Sequence, residues 1–167
     1  FDDLDHLALG ERHHLVDIER GVKMSGARFY VLHGAGALLH RAVLNFAFDH
    51  MIAKGYEPLE VPVLVRDQAM EGTAYFPGGE EQSYRIEKDG LNLVGTAEVP
   101  VTSVHAGEIL ERDSLPRRLV ARSSCFRREA GAAGKDTKGL YRIHQFEKVE
   151  QVQLIEPNEE VSLQVHE

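Results

Sequence analysis

The sequence predicts an α+β domain in which an antiparallel β-sheet is flanked by helices. Two strand-like runs flank a glycine-rich middle, residues 130–139, and this pattern predicts a β-hairpin. Residues 35–54 carry apolar side chains at helical spacing and predict one long helix. Short apolar runs on either side of Asp89-Gly90 predict a second hairpin.

Composition limits the classes of protein that fit. A chain of 167 residues that is 43% hydrophobic has enough apolar material for the core of one domain. Its net charge of -8 argues against a generally basic protein that coats nucleic acid, although a local basic patch remains possible. The single cysteine, Cys125, excludes an internal disulfide and a multi-cysteine zinc site, so we expect a cytoplasmic protein. No apolar run approaches the roughly 20 residues of a membrane span. The chain does not begin with Met, and we expect both ends to be cut.

The first third of the sequence predicts a helix, a strand, a second helix and a second strand, in that order. Residues 1–20 predict a short helix, and residues 27–34 predict a strand that ends in glycine. We expect His6, His13 and His14 to be exposed, because no second cluster of metal ligands accompanies them. The long helix, 35–54, is followed by Gly55 at its C-terminal end. Residues 56–65 predict a strand, and its prolines, Pro58 and Pro62, place it at an edge or an interface.

The middle of the chain contains a short polar motif. Residues 66–79 predict a loop, and residues 83–87 and 91–94 predict the strands of the second hairpin. Gly95 then allows a close approach of the backbone to a neighbour. On an extended chain Thr96 and Glu98 share one face, where a hydroxyl and a carboxylate can hold a small zwitterion. The alternative is a helix N-cap, with Thr96 capping and Glu98 in the first turn. Residues 101–110 predict a helix.

The long hairpin carries charge where a core strand would be apolar. Strand alternation places Arg127 and Glu129 on one face of the first run. In the second run it places Arg142, His144, Phe146, Lys148 and Glu150 together, with Ile143 on the opposite face. Arginine suits phosphate, and an aromatic ring among charges suits a purine. The alternative is a solvated strand pair with cross-strand ion pairs. We interpret Cys125 as a small buried residue.

These motifs resemble those of a known family. FRRE, the glycine-rich loop with KDT, and HQFEKVE together closely resemble motif 2 of the class II aminoacyl-tRNA synthetases, in the form found in seryl-tRNA synthetases. Residues 35–65 resemble motif 1, TAE within residues 95–100 resembles the serine-binding TxE loop, and motif 2 spans about 118–152. The family's coiled-coil arm and motif 3 are absent from this sequence. We therefore expect residues 1–167 to be a partial class II catalytic domain, excised from a longer protein.

The resemblance implies a role for each matching residue. Arg127 would be the catalytic residue and hold the α-phosphate and the serine carboxylate, while Glu129 would contact the adenine amino group and Phe146 would stack on adenine. The implied ATP-binding set is Arg127, Arg128, Glu129, Arg142, Ile143, His144, Gln145 and Phe146. The implied serine-binding set is Thr96, Ala97, Glu98, Arg127 and Glu150. Lys135 and Lys138 would contact the tRNA acceptor end, and no metal-ligating residue is predicted.

The implied activity is that of a serine–tRNA ligase. Serine and ATP would give seryl-adenylate and pyrophosphate with Mg²⁺ as cofactor, and serine would then pass to tRNA(Ser). Motif 1 would form a homodimer interface. Three alternatives remain: a ligase that loads an amino acid onto a carrier protein, a non-catalytic paralogue, and a synthetase for threonine or proline. HQFEKVE with TAE favours serine, and the lack of cysteine ligands counts against threonine and the carrier ligase.

Overall fold

The computed structural model describes residues 4–131 and 139–165, and all structural statements below concern these residues. The helices are α1 (His6–Arg12), α2 (Ile18–Ser25), α3 (Gly34–Ala53), α4 (Asp67–Gly72), α5 (Glu98–Ser103) and α6 (Glu159–Gln164). The strands are β1 (Val16–Asp17), β2 (Val31–Leu32), β3 (Glu57–Leu59), β4 (Leu64–Val65), β5 (Tyr84–Ile86), β6 (Leu91–Leu93), β7 (Arg117–Phe126) and β8 (Gln145–Leu154). This arrangement confirms the predicted α+β class.

The central sheet has the order β3-β7-β8 and is built on the long hairpin. β7 and β8 pair antiparallel from Arg117 opposite Leu154 to Phe126 opposite Gln145. β3 pairs with β7 in parallel, so the sheet is mixed rather than purely antiparallel. Pro58 therefore lies on an edge strand, as predicted, where its missing N–H leaves no gap in an interior ladder.

The second sheet has the order β4-β6-β5 and contains the predicted short hairpin. The single strand predicted at 56–65 is wrong: β3 and β4 belong to different sheets, and Pro62 lies between them. Where β6 ends, Val94 joins the two sheets, because Phe126 N donates to Val94 O at 2.8 Å. The turn that follows β6 is thereby held against the end of the long hairpin.

The core consists of two packed clusters. One contains Val65, Met70, Phe76, Val94 and Val99, and the other contains Ala97, Val101, Leu119 and Ala121. Both clusters include residues of the short helix α5 or of the turn before it. Because α5 is anchored in both clusters, the polar residues at its start are held at a fixed position beside the central sheet.

The single helix predicted at 1–20 is wrong. α1 ends at Arg12, and β1 separates it from α2. The Asp17 carboxylate accepts from Arg20 N at 2.8 Å, which is an N-cap that begins a new helix at Ile18. The strand predicted at 27–34 shortens to β2, because Arg28 adopts a left-handed φ of 66° that ends extended structure.

Two further boundaries differ from the prediction. The segment predicted as a loop at 66–79 contains α4, and the helix predicted at 101–110 begins earlier, at Glu98, and ends at Ser103. Pro100 is compatible with this early start, since the first turn of a helix does not use its backbone N–H groups. His13 and His14 are exposed as predicted, whereas His6 is half-buried and its ring lies 4.4 Å from that of Tyr141.

The long helix α3 confirms the prediction for 35–54, and Gly55 follows it with a φ of 87°. Only part of its apolar surface faces the core: Leu44 is buried, and Asn45 accepts from Arg122 Nη1 at 3.1 Å. The opposite side exposes five large apolar residues, which we call the α3 apolar face: Leu38, Leu39, Val43, Phe46 and Ile52. In the part of the chain that is described, no helix is long and apolar enough to cross a membrane.

Candidate active site

A cleft of about 810 Å³ opens at the end of the long hairpin. β7 ends at Phe126 and β8 begins at Gln145, so Arg127 and Arg142 both lie outside the ladder. We call this the hairpin cleft, and its lining mixes charged and apolar side chains: Arg127, Glu129, Leu140, Tyr141, Arg142, Ile143 and Phe146. Its volume lies within the range of small-molecule sites and is sufficient for a nucleotide.

Arg127 is fixed in the wall of this cleft by three contacts. Its backbone N donates to His144 O at 3.0 Å, and its Nε donates to Gly95 O at 3.1 Å. Its guanidinium carbon lies 5.2 Å from the centroid of the Phe146 ring, which is cation–π distance. Its two terminal nitrogens make no hydrogen bond or ion pair with any residue in 4–131 or 139–165. The charged end of the side chain is therefore available to an anionic group.

Glu129 lies in the same cleft in an unusual backbone conformation. Its φ is 52°, a region that residues other than glycine rarely adopt. Arg142 Nη1 donates to its Oε2 at 3.0 Å, and Arg28 Nη1 donates to its carbonyl oxygen at 3.3 Å. Only 15% of the Glu129 side chain is exposed. The carboxylate is thus held inside the cleft, where it can accept a hydrogen bond from a ligand.

Thr96, Lys148 and Glu150 form a second polar group, which we call the Thr96 corner. Thr96 Oγ1 donates to Glu150 Oε2 at 2.6 Å and accepts from Lys148 Nζ at 2.9 Å. Lys148 Nζ lies 2.5 Å from the same carboxylate oxygen. Thr96 is only 6% exposed. Both contacts use the same oxygen of Glu150, and a carboxylate has a second oxygen that can accept from the ammonium group of a ligand.

The charge of Glu150 is set by competing effects. Burial alone raises the pKa of Glu150, but hydrogen bonds from Lys148 and Thr96 and the positive charges of Lys148 and Arg127 lower it further than burial raises it. The net result is a pKa below the ordinary value for glutamate, so the carboxylate is charged at neutral pH. The Thr96 corner and the hairpin cleft are close neighbours, because Arg127 Nε donates to the carbonyl oxygen of Gly95, the residue before Thr96.

The extended face predicted for Thr96 and Glu98 is wrong. Glu98 is the first residue of α5 and is exposed, which matches the alternative of a carboxylate in a first helical turn. Thr96 is at most a weak cap of α5, because the bond that its Oγ1 accepts from Glu98 N is long, at 3.4 Å. The hydroxyl donates instead to Glu150. Ala97 is fully buried in the core cluster, so neither its side chain nor its backbone is exposed to a ligand.

The predicted alternation also fails for residues 142–144, because β8 begins only at Gln145, whereas it holds for Lys148 and Glu150 within the strand. Ile143 lines the hairpin cleft, whereas His144 does not. The ring centroids of His144 and Phe29 are 5.3 Å apart, and His144 Nδ1 is 3.0 Å from Arg127 O. These contacts give His144 a structural role. Gln145 lines a separate cavity of about 290 Å³.

Arg128 is exposed and does not line the cleft. Its backbone N donates to Gln82 O at 2.8 Å, so the main chain at this position faces a neighbouring segment. Lys135 and Lys138, predicted to contact the tRNA acceptor end, lie outside the described residues. Cys125 is buried as predicted, and burial raises the pKa of its thiol above the ordinary value.

Comparison with known proteins identifies the family. Residues 83–167 match the family described as tRNA synthetase class II core domain (G, H, P, S and T), and this match covers half of the chain. The chain belongs to the class II tRNA synthetase family. The long hairpin, which resembles motif 2, lies within the matched residues.

Similar proteins cover the whole of this chain. A serine–tRNA ligase from Leptospira biflexa is 50% identical over 168 residues, which is 100% of this chain and 40% of that protein. The crystal structure of seryl-tRNA synthetase from Pyrococcus horikoshii, complexed with ATP, is 44% identical with a TM-score of 0.85, covering 89% of this chain and 33% of that one. A cytoplasmic serine–tRNA ligase from Naegleria fowleri, in complex with AMP, is 32% identical with a TM-score of 0.91, covering 97% and 38%. The chain thus spans about 40% of the length of the curated relatives it matches.

The structure also adds residues that sequence reasoning missed. Alternation predicts Lys148 on the functional face but assigns it no role; in the structure Lys148 ties Thr96 to Glu150. Tyr75, within the predicted loop, packs so closely on Gly95 that a Cβ there would lie 2.2 Å from its hydroxyl. This confirms that Gly95 permits a close approach, but the partner is distant in sequence and no local pattern indicates it.

Proposed function

We propose that this chain carries the serine- and ATP-binding part of a serine–tRNA ligase. The observation that carries the proposal is the hydrogen bond from Arg127 Nε to Gly95 O, which holds Arg127 beside Thr96 while its free charged end lies in the hairpin cleft. An amino acid in the corner and a nucleotide in the cleft would then meet at Arg127. Relatives named serine–tRNA ligase at about 50% identity over the whole chain support the same function.

ATP is assigned to the hairpin cleft. Glu129 would accept from the adenine amino group, and Phe146 would supply a flat aromatic surface for the purine. Arg142 would serve the nucleotide side by holding Glu129, to which it donates at 3.0 Å. Ile143 lines the same cleft. The remaining members of the predicted set, Arg128, His144 and Gln145, would act indirectly, since their side chains do not line the cleft.

Serine is assigned to the Thr96 corner. Its ammonium group would bind Glu150, whose lowered pKa keeps the carboxylate charged, and Thr96 would orient that carboxylate. The serine carboxylate would then point to Arg127. Ala97 and Glu98 complete the predicted set. Ala97 would act only by packing the turn after Thr96 into the core, and Glu98 would act from the exposed start of α5.

The reaction follows from this arrangement. An oxygen of the serine carboxylate attacks the α-phosphorus of ATP, the bond to the β-phosphate oxygen breaks, and pyrophosphate leaves with the electron pair. Negative charge builds on the α-phosphate oxygens, and the preplaced guanidinium of Arg127 stabilises it. Transfer of serine to the 3′ end of tRNA(Ser) would follow, with Lys135 and Lys138 contacting the acceptor end.

Mg²⁺ is the expected cofactor, and bound with ATP it would neutralise phosphate charge. Within residues 4–131 and 139–165 there is no group of three or more His, Cys, Asp or Glu that could hold a metal ion. No described residue is assigned to Mg²⁺. A cytoplasmic location accompanies the proposed function.

A homodimer through α3 is the proposed assembly. The α3 apolar face exposes 75% of Phe46 and 66% of Leu38, and an exposed apolar face of this kind marks an interaction surface. Phe46→Asp should therefore shift the chain to monomer in sedimentation analysis. Lys88→Ser, at an exposed position in the turn between β5 and β6, is the control and should leave the assembly unchanged. A variant with Phe46→Asp that sediments like wild type would exclude this face.

The function is tested by ATP–pyrophosphate exchange with serine, threonine or proline as the only amino acid. We expect exchange with serine alone. A rate with threonine or proline equal to that with serine would contradict the proposed substrate, and no exchange with any of them would contradict activation by this chain.

A further inference from the structure

Gln82 holds the backbone beside Glu129 with three hydrogen bonds. It is the last residue of a short 3₁₀ helix, Glu80–Gln82, that precedes β5. Its side-chain amide binds one residue at both ends: Nε2 donates to Ala130 O at 2.9 Å, and Oε1 accepts from Ala130 N at 3.1 Å. Its own carbonyl oxygen accepts from Arg128 N at 2.8 Å. Glu129 lies between the two residues that Gln82 binds.

This arrangement coincides with the unfavourable conformation of Glu129. A non-glycine residue at a φ of 52° persists only when its surroundings fix it. Gln82 binds the chain on both sides of that residue, and Arg28 Nη1 contacts the Glu129 carbonyl oxygen. Neither Gln82 nor Arg28 lines the hairpin cleft, so neither is placed to touch a ligand there.

We infer that Gln82 is a positioning residue for nucleotide recognition. By holding Ala130 it keeps Glu129 in the left-handed conformation that directs its carboxylate into the hairpin cleft. The inference rests on the proposed function, in which Glu129 accepts from the adenine amino group. Arg127 is held separately, through His144 O and Gly95 O, so loss of the Gln82 side chain should affect the adenine end more than the phosphate end.

The structure supplies an internal control for this test. Gln82→Ala removes both side-chain bonds to Ala130 but keeps the backbone bond from Arg128 N to residue 82. Amide hydrogen exchange in the full chain should therefore show lost protection at Ala130 and retained protection at Arg128. Glu81→Ala, at the neighbouring exposed position of the same 3₁₀ helix, is the matched variant and should leave both amides unchanged.

The functional readout is the affinity for ATP compared with that for inorganic triphosphate, which lacks the base. In Gln82→Ala the Kd for ATP should rise about tenfold, the scale of two lost neutral hydrogen bonds, whereas the Kd for triphosphate should stay within about twofold. If Gln82 only stabilised the fold, Gln82→Ala would weaken the binding of ATP and of triphosphate equally. Gln82→Glu keeps the acceptor for Ala130 N but loses the donor to Ala130 O, and should show an intermediate ATP affinity with Ala130 still protected.

Each outcome decides the inference. Unchanged protection of Ala130 in Gln82→Ala, or an unchanged ratio of ATP to triphosphate affinity, would overturn it. A wild-type chain that binds neither ligand would count against the proposed function instead. In that case exchange at Ala130 alone would decide whether Gln82 holds this turn.

Discussion

The Thr96 corner and the hairpin cleft are neighbours on one hairpin but are held by different means. Lys148 and Glu150 lie within the regular ladder of β8, opposite Ser123 and Ala121 of β7. Arg127 and Glu129 lie beyond the ladder, and individual hydrogen bonds with distant residues position them: Arg127 donates to Gly95 O, and Arg28 donates to Glu129 O. The two corner residues on β8 are therefore fixed by secondary structure, whereas Arg127 and Glu129 of the cleft depend on a few tertiary contacts.

This difference predicts different responses to mutation. A side chain on a paired strand keeps its direction when a neighbour is changed, because the backbone does not move. A side chain outside the ladder depends on each contact that holds it. We therefore expect changes in the cleft to act on geometry and catalysis, and changes in the corner to act on charge and on amino-acid binding.

The largest effect is expected at Arg127. Arg127→Ala should lower serine-dependent ATP–pyrophosphate exchange by about 10²–10³-fold, because a lost transition-state contact of this type costs roughly 3–4 kcal/mol. Arg118→Ala, an exposed arginine on β7, is the control and should retain the wild-type rate. Near-normal exchange in Arg127→Ala would contradict the proposal that the amino acid and the nucleotide meet at Arg127.

A smaller effect is expected at Glu150. Glu150→Gln keeps the shape of the side chain and removes its charge, and should weaken binding of a seryl-adenylate analogue roughly 10- to 100-fold, the scale of a hydrogen bond to a charged group. Glu147→Gln is matched, since Glu147 lies on the same strand with the same 21% side-chain exposure. Calorimetric titration measures both variants. Equal losses of affinity in Glu150→Gln and Glu147→Gln would show that negative charge anywhere on β8, rather than in the Thr96 corner, controls binding.

Gly95 links the two regions, because it precedes Thr96 and its carbonyl oxygen binds Arg127. In Gly95→Ala the new Cβ would lie 2.2 Å from the Tyr75 hydroxyl and 2.9 Å from Tyr75 Cζ, so one of the two residues must move. We expect a loss of about 1–3 kcal/mol in the free energy of unfolding, measured by denaturant titration. Adding Tyr75→Ala should reduce the cost of Gly95→Ala. Strictly additive losses would mean that the two residues do not interact.

The smallest effect is a pH dependence confined to the corner. Glu150 has a lowered pKa in the folded chain, so its interactions contribute stability that is fully present above its unfolded value of about 4.5 and is lost as pH falls through the folded pKa. The difference in melting temperature between wild type and Glu150→Gln should thus be constant above about pH 5.5 and shrink below about pH 4.5. A difference that grows on acidification would have the wrong sign for a charged Glu150.

The sequence was informative where local rules decide the structure. The long helix, the short hairpin and the pairing of the two long strands follow from periodicity and turn residues, and alternation correctly placed Lys148 and Glu150 on one face of β8. Alternation failed for His144 and Ile143, because the strand begins later than its pattern suggests. The prediction of extended structure at Glu98 was also wrong, since the core packing of α5 favours a helix there.

The contacts that hold the cleft could not be predicted. Gln82, Tyr75 and Arg28 are distant in sequence from the residues they position, and each lies in or beside an irregular segment. Periodicity describes one element at a time, so it contains no information on which irregular segments meet. The chemistry of the cleft was indicated by residue type and family resemblance, but its geometry required the tertiary structure.

The most direct measurement is calorimetric titration of this chain with a non-hydrolysable seryl-adenylate analogue and with its threonyl counterpart. Such an analogue occupies both regions at once and differs from its counterpart by one methyl group in the Thr96 corner. We predict binding of the seryl analogue and affinity for the threonyl analogue lower by at least about tenfold. Equal affinities, or no binding of either, would contradict the claim that corner and cleft together form a serine-selective site.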